Sequence, residues 1–190
     1  MKTGTKSVLF GVHQFLWHPW TVAKAWRWLY GRWPTFHQWI AIFCHDIGYL
    51  GKAEMDSPEG QTHPEVGARI AKKIVYWCCR LRGKDDFDAD TISDEIYDLC
   101  LFHSTHYAQM KGNVVSALYL PDKACVLFDP TNFYLLRGTL SGEVFEYTDR
   151  ENEKNGTELA PDEWLRQYRG VIKRKTDTFF ESGFRKCATH

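Results

Sequence analysis

No apolar run in this 190-residue chain approaches the roughly 20 residues that a membrane-crossing helix requires. The apolar stretch after Lys6 is broken at His13, which leaves it too short and too polar for a secretory leader. Both absences predict a soluble, cytoplasmic protein. Net charge is missing as well, because 24 Lys plus Arg balance 24 Asp plus Glu. Without a global basic field, binding to a nucleic-acid polymer is not expected. The six cysteines, Cys44, Cys78, Cys79, Cys100, Cys125 and Cys187, include no CxxC pair, and five of them lie in apolar stretches that read as helix interiors. That pattern predicts buried reduced thiols and argues against a disulfide framework or a zinc knuckle. Strand-type alternation is scarce, and there is neither an internal repeat nor a low-complexity tract.

What is there is a 44% hydrophobic composition with apolar positions at helical spacing in almost every segment. This predicts one all-α globular domain, residues 1–190, with a motif-bearing core at about 14–130 and a C-terminal helical extension at about 131–190. The stretches Trp20 to Tyr30 and Phe36 to Tyr49 are apolar around most of a helix, as buried helices are. Gly51 to Gln61 reads as a loop closing on Thr62, which with Glu65 forms a capping-box pattern for a helix running to about Arg82. Gly83 to Asp90 reads as a charged loop. After it, Ile92, Ile96, Leu99, His103, His106 and Met110 recur on one helical face. Asn113 is a candidate cap for a further helix that carries Asp122 inward, with Pro121 expected to disturb it locally. A helix follows Asp129-Pro130, then Thr148 to Glu158 reads as a solvent-exposed linker, and Pro161 to Phe180 as a last amphipathic helix.

Against this background one series of residues carries chemistry: His18, the doublet His45-Asp46, His63, His103 and Asp122, each on or at the end of a separate expected helix. Imidazole and carboxylate together suit transition metals, and six donors exceed what one tetrahedral ion needs. A dinuclear centre with Asp46 as the bridge is the natural arrangement.

The stretches HPWTVAKAW, AIFCHDIGYLGK, THPEVGARIA, LCLFHSTHYAQM and ALYLPDKACV resemble, in order, the HD-domain superfamily of metal-dependent phosphohydrolases. The most specific part is the doublet followed by a Gly-containing turn. The resemblance spans His18 to about Asp129 and implies a helical bundle holding two divalent transition-metal ions. Iron or manganese are the leading candidates, with zinc, nickel, cobalt or magnesium as others. It implies His18, His45, Asp46, His63, His103 and Asp122 as ligands, with His13 the second choice for the first of them. The expected activity is hydrolysis of a nucleotide or related small phosphate ester through metal-activated hydroxide. The same six ligand types occur in HD-type mixed-valent di-iron oxygenases, which is the alternative, and a non-catalytic nucleotide-binding domain is the third reading.

Four further positions are candidates around such a centre. Lys52 and Lys123 are candidate phosphate contacts, each with a surface or ion-pair lysine as the plain alternative. His106, one helical turn from His103, is a candidate substrate contact or proton donor to the leaving group. Arg137 is a candidate phosphate neutraliser, with a solvated surface arginine as the safer reading. Six of the eight tryptophans fall between Trp17 and Trp39. Core packing is the default use for them, and a nucleobase platform or a homodimer interface is the functional one.

Overall fold

The computed structural model describes residues 1–55 and 57–182, and these contain helices and no strand. Helices α1 (Thr3–Phe10), α2 (Trp17–Tyr30) and α3 (Phe36–Cys44) lead to a 3₁₀ turn at Ile47–Tyr49. A second 3₁₀ turn (Gly60–Thr62) opens α4 (His63–Leu81), which a short connection joins to α5 (Asp86–Leu101). Then come α6 (Thr105–Met110), α7 (Tyr119–Ala124), a 3₁₀ turn (Cys125–Phe128), α8 (Thr131–Ser141), α9 (Glu143–Asn155) and α10 (Pro161–Glu181). Among the described residues no helix is long and apolar enough to cross a membrane.

Two apolar cores organise the chain. The first joins Val22, Trp26 and Leu29 of α2 to Leu118, Ala124 and Val126, and to Tyr134, Val144, Trp164 and Ile172 of the last three helices. The helices after residue 130 therefore pack into the same core as α2. The second core joins Ala41 and Cys44 of α3 to Ala68, Ala71 and Val75 of α4 and to Ala89, Ile96 and Cys100 of α5. Helix α3 touches both, since Ile42 belongs to the first core.

Several boundaries differ from the sequence-based expectation, each for a local reason. The stretch 148–158 is mostly helix, because α9 is fixed at its start by the fully buried Glu143 and Val144 and is closed by left-handed Gly156. Its polar surface hid the anchor. Helix α5 begins inside the expected loop, where the Asp85 carboxylate accepts from the Asp88 N–H, and Asp86 and Asp88 suit the positive end of the helix dipole. Thr62 forms no capping box, since its hydroxyl donates to the Glu59 carbonyl at 2.7 Å. Asn113 does not cap a helix either; its N–H returns to the Ala108 carbonyl, and α7 starts at Tyr119. Pro121 then falls in the first turn of α7, where a missing N–H leaves no helical bond unmade.

Gly67 shows how tightly α3 and α4 meet. A Cβ there would lie 2.3 Å from the Cys44 carbonyl oxygen and 2.8 Å from that of His45. Backbone atoms cannot swing aside as side chains do, so Gly67→Ala is expected to destabilise by roughly 3 kcal/mol. The urea unfolding midpoint reads this directly, with an unchanged m-value. An unshifted midpoint would mean that α3 and α4 do not depend on this approach.

Candidate metal centre

The sequence scatters the six candidate ligands over 105 positions, and the fold gathers them at the seam between the two cores. His18 comes from the first turn of α2 and Asp122 from α7, on the side of the first core. His63 opens α4 and His103 follows α5, on the side of the second. His45 and Asp46 sit where α3 ends and the chain turns. All six are buried.

Their atoms fall into two groups. In the first, His18 Nε2 lies 3.0 Å from Asp46 Oδ2 and 3.2 Å from Asp122 Oδ1, while His45 Nε2 lies 3.1 and 3.4 Å from the same two oxygens. In the second, the other oxygen of the same carboxylate, Asp46 Oδ1, faces His63 Nε2 at 3.5 Å and His103 Nε2 at 3.7 Å. Donors about 2.1 Å from one ion stand about 3.0 Å apart at right angles and about 3.4 Å apart at tetrahedral angles, so the first group is spaced as a coordination shell is. Asp46 alone belongs to both groups.

Three features fit these residues to a metal. His45, His63 and His103 each donate Nδ1–H to a backbone carbonyl three residues earlier, of Ile42 at 2.7 Å, Gly60 at 2.9 Å and Cys100 at 2.5 Å. The tautomer is thereby fixed with a bare Nε2 turned inward. Second, Asp46 Oδ2 is buried without a settled hydrogen-bond partner, although the Nε2 atoms of His18 and His45 stand 3.0 and 3.1 Å away. Third, the cluster calls for positive charge. Burial opposes protonation of His45, yet Asp46 and Asp122 hold its pKa up to about 9. Burial likewise opposes protonation of His18, but the neighbouring Cys125, Asp122 and Asp46 raise its pKa well above the ordinary value. Without metal, protons take the place of cations between the carboxylates. His63 behaves oppositely: burial, helped by His103, holds it well below the ordinary value and keeps it a neutral donor.

Gly48 explains why the doublet is followed by a glycine. A Cβ at that position would lie 2.1 Å from the His63 carbonyl oxygen, so only glycine lets the turn after Asp46 press against the start of α4. Tyr49 then stacks on the His63 imidazole at 3.7 Å between centroids and holds its plane.

The remaining candidates separate. Lys123 lines a cavity of about 240 Å³ that opens beside His13, His18 and Asp122, with Tyr134, Arg150 and Tyr168 in its wall. Its Nζ lies 2.9 Å from Asp122 Oδ2. The other three are not brought to the cluster. Lys52 Nζ donates to Thr62 Oγ1 at 3.0 Å and faces Glu59. His106 is exposed, because α5 stops at Leu101 and α6 begins afresh at Thr105, so His103 and His106 share no helical face. Arg137 is neither a phosphate contact nor a solvated surface residue. It is buried, pairs with Asp129 and donates to the carbonyls of Gly11 at 2.9 Å and Val12 at 3.1 Å.

That clamp exposes what sequence reasoning missed. Glu143 holds the same corner of the chain from the opposite polarity, accepting from the Val12 N–H, from Ser7 Oγ at 2.5 Å and from Ser141 Oγ at 2.9 Å. It also lies 3.1 Å from His13 Nδ1. The corner it fixes carries His13, whose Nε2 stands 4.0 Å from Asp46 Oδ2. His13 is thus beside the cluster rather than in it. No sequence signal links Glu143 to His13 across 130 positions.

Comparison of this chain with protein-family models, with curated proteins and with solved structures finds no match. The functional reading therefore rests on its own residues.

Proposed function

We propose that this chain is an HD-type metal-dependent phosphohydrolase that acts on a small phosphate ester, a nucleotide or a related compound. The observation that carries the reading is the shared carboxylate: two donor groups, each with its own imidazoles, meet on the two oxygens of Asp46. His18, His45, Asp46 and Asp122 would hold one cation, and Asp46, His63 and His103 a second. Iron or manganese suits this mixture of imidazole and carboxylate. Such a pair supplies Lewis acidity toward a phosphoryl oxygen and acidifies water to a pKa of about 7.

The chain's own residues do the rest. Lys123 and Arg150 in the cavity wall give it positive charge for an anionic ester. The cavity, about 240 Å³, opens beside His13, His18 and Asp122, where the phosphoryl end of an ester would enter. His13, with Nδ1 on the Glu143 carboxylate and Nε2 toward the cluster, is placed to deliver a proton from Nε2 to the departing oxygen.

The test is anaerobic product release, read by chromatography, from a panel of nucleoside mono-, di-, tri- and cyclic phosphates, with metal content measured on the same samples. Two ions per chain and turnover of a small phosphate ester are expected. His13→Ala should keep the metal and lose about 10²–10³-fold in kcat, as loss of a general acid does, while exposed His106→Ala serves as the unaffected control. Metal-replete protein that hydrolyses none of these esters but consumes oxygen in air would replace this reading with the di-iron oxygenase one.

A further inference from the structure

Helix α8 is built inside out. Its buried residues are Tyr134, Arg137, Gly138 and Ser141, whereas Phe133, Leu136 and Leu140, at i, i+3 and i+7, form a continuous outward stripe. Leu136 is 56% and Leu140 58% exposed. Helix α1 buries Gly4, Ser7 and Val8 and likewise leaves Leu9 and Phe10 outside. Between them, with Leu16 and Trp20, runs an open groove of about 540 Å³, none of whose lining residues is a candidate metal ligand. Trp17, edge-on to Phe133 at 5.2 Å, forms part of its floor. The groove continues past Trp20, which stacks with Trp33 at 5.8 Å and Trp39 at 6.4 Å.

We propose that this face is a homodimer interface, in which the α8 stripe of each chain seats in the groove of a second copy. Three observations select a second copy over other occupants. The seven exposed side chains Leu9, Phe10, Leu16, Trp20, Phe133, Leu136 and Leu140 present roughly 700 Å² of apolar surface. That exceeds the roughly 300–600 Å² patch of a typical monomer and is close to the roughly 800 Å² each partner contributes to a standard interface. Among the described residues lining the groove, Arg137 alone is charged, and its guanidinium is turned inward to Asp129. Nothing in the groove attracts a phosphate backbone or an anionic lipid surface. The whole chain carries no net charge, so two copies do not repel one another.

Phe133, Leu136 and Leu140 form one wall of the groove, so two copies related by a two-fold axis can present the same surface to each other. Lys24 and Arg27, which lie over the rings of Trp20 and Trp33, supply the polar rim at one end.

Sedimentation equilibrium of the full chain tests this. The expected mass is twice 22.2 kDa, and the double substitution L136D/L140D should return the 22.2 kDa monomer, raising the dimer Kd by at least about 100-fold. Leu16→Asp, on the α2 side, should do the same independently, and circular dichroism checks that each variant is folded. Wild type that stays monomeric to about 100 µM overturns the proposal, as does a dimer whose Kd neither variant moves.

Discussion

Asp46→Ala is expected to empty both metal positions at once. Any other ligand belongs to one donor group, but Asp46 gives Oδ2 to the first and Oδ1 to the second. Losing it would remove the one carboxylate that both donor groups share, and with it the negative charge that a cation in either would need. Turnover should fall at least about 10³-fold, equivalent to about 4 kcal/mol of barrier. Metal analysis should find less than a stoichiometric ion in either position. A thermal readout is independent of substrate: metal at about 100 times its Kd stabilises a protein that binds it only when folded by about 2.7 kcal/mol. Wild type should show that rise in Tm, and Asp46→Ala should not. A metal-replete, active Asp46→Ala protein would refute the site.

The second large effect concerns a residue outside the candidate ligand set, one step behind His13. Glu143→Ala leaves the buried Val12 N–H and the hydroxyls of Ser7 and Ser141, together with half-buried His13 Nδ1, without their common acceptor. Breaking a buried charged network in this way costs about 3–5 kcal/mol. For a chain of this length that is a fall in Tm of roughly 10 °C or more. Calorimetry measures it. The pH dependence has a definite sign. Burial opposes ionisation of Glu143, but His13, Ser7 and the Val12 N–H override it and lower its pKa from 4.5. Its stabilising contribution is therefore present above about 4.5 and is lost as pH falls through the lower folded value. Glu143→Gln, which keeps the volume but not the charge, separates packing from orientation: kcat should drop with metal content unchanged. A Gln variant with wild-type kcat would show that His13 does not depend on the carboxylate.

The helical class and the cluster of candidate ligands were legible because each rests on local chemistry. Apolar residues at helical spacing announce a buried face, and a His-Asp doublet before a glycine turn is a short-range pattern. The positions misread were those whose cause lies far along the chain. Thr148 to Glu158 looks like a linker because nothing nearby shows that Glu143 is an anchor for Ser7 and Val12. Arg137 looks like a surface cation until the carbonyls of Gly11 and Val12 are folded against it. His106 was misplaced by the opposite error, a helical period continued past the point where α5 stops. Periodicity cannot see a helix end when the next helix begins within a few residues.

The two cores also imply an order of events. Among the described residues, the second core draws on positions between Ile40 and Tyr107, whereas the first needs α2 from early in the chain and α10 from late in it. Contacts close in sequence form sooner than those that must close long loops. His45, Asp46, His63 and His103 all belong to the early-forming stretch, and Asp122 arrives only with the return of the chain. The stretch that carries His63 and His103 is therefore expected to gain hydrogen-exchange protection before the region of Asp122 does.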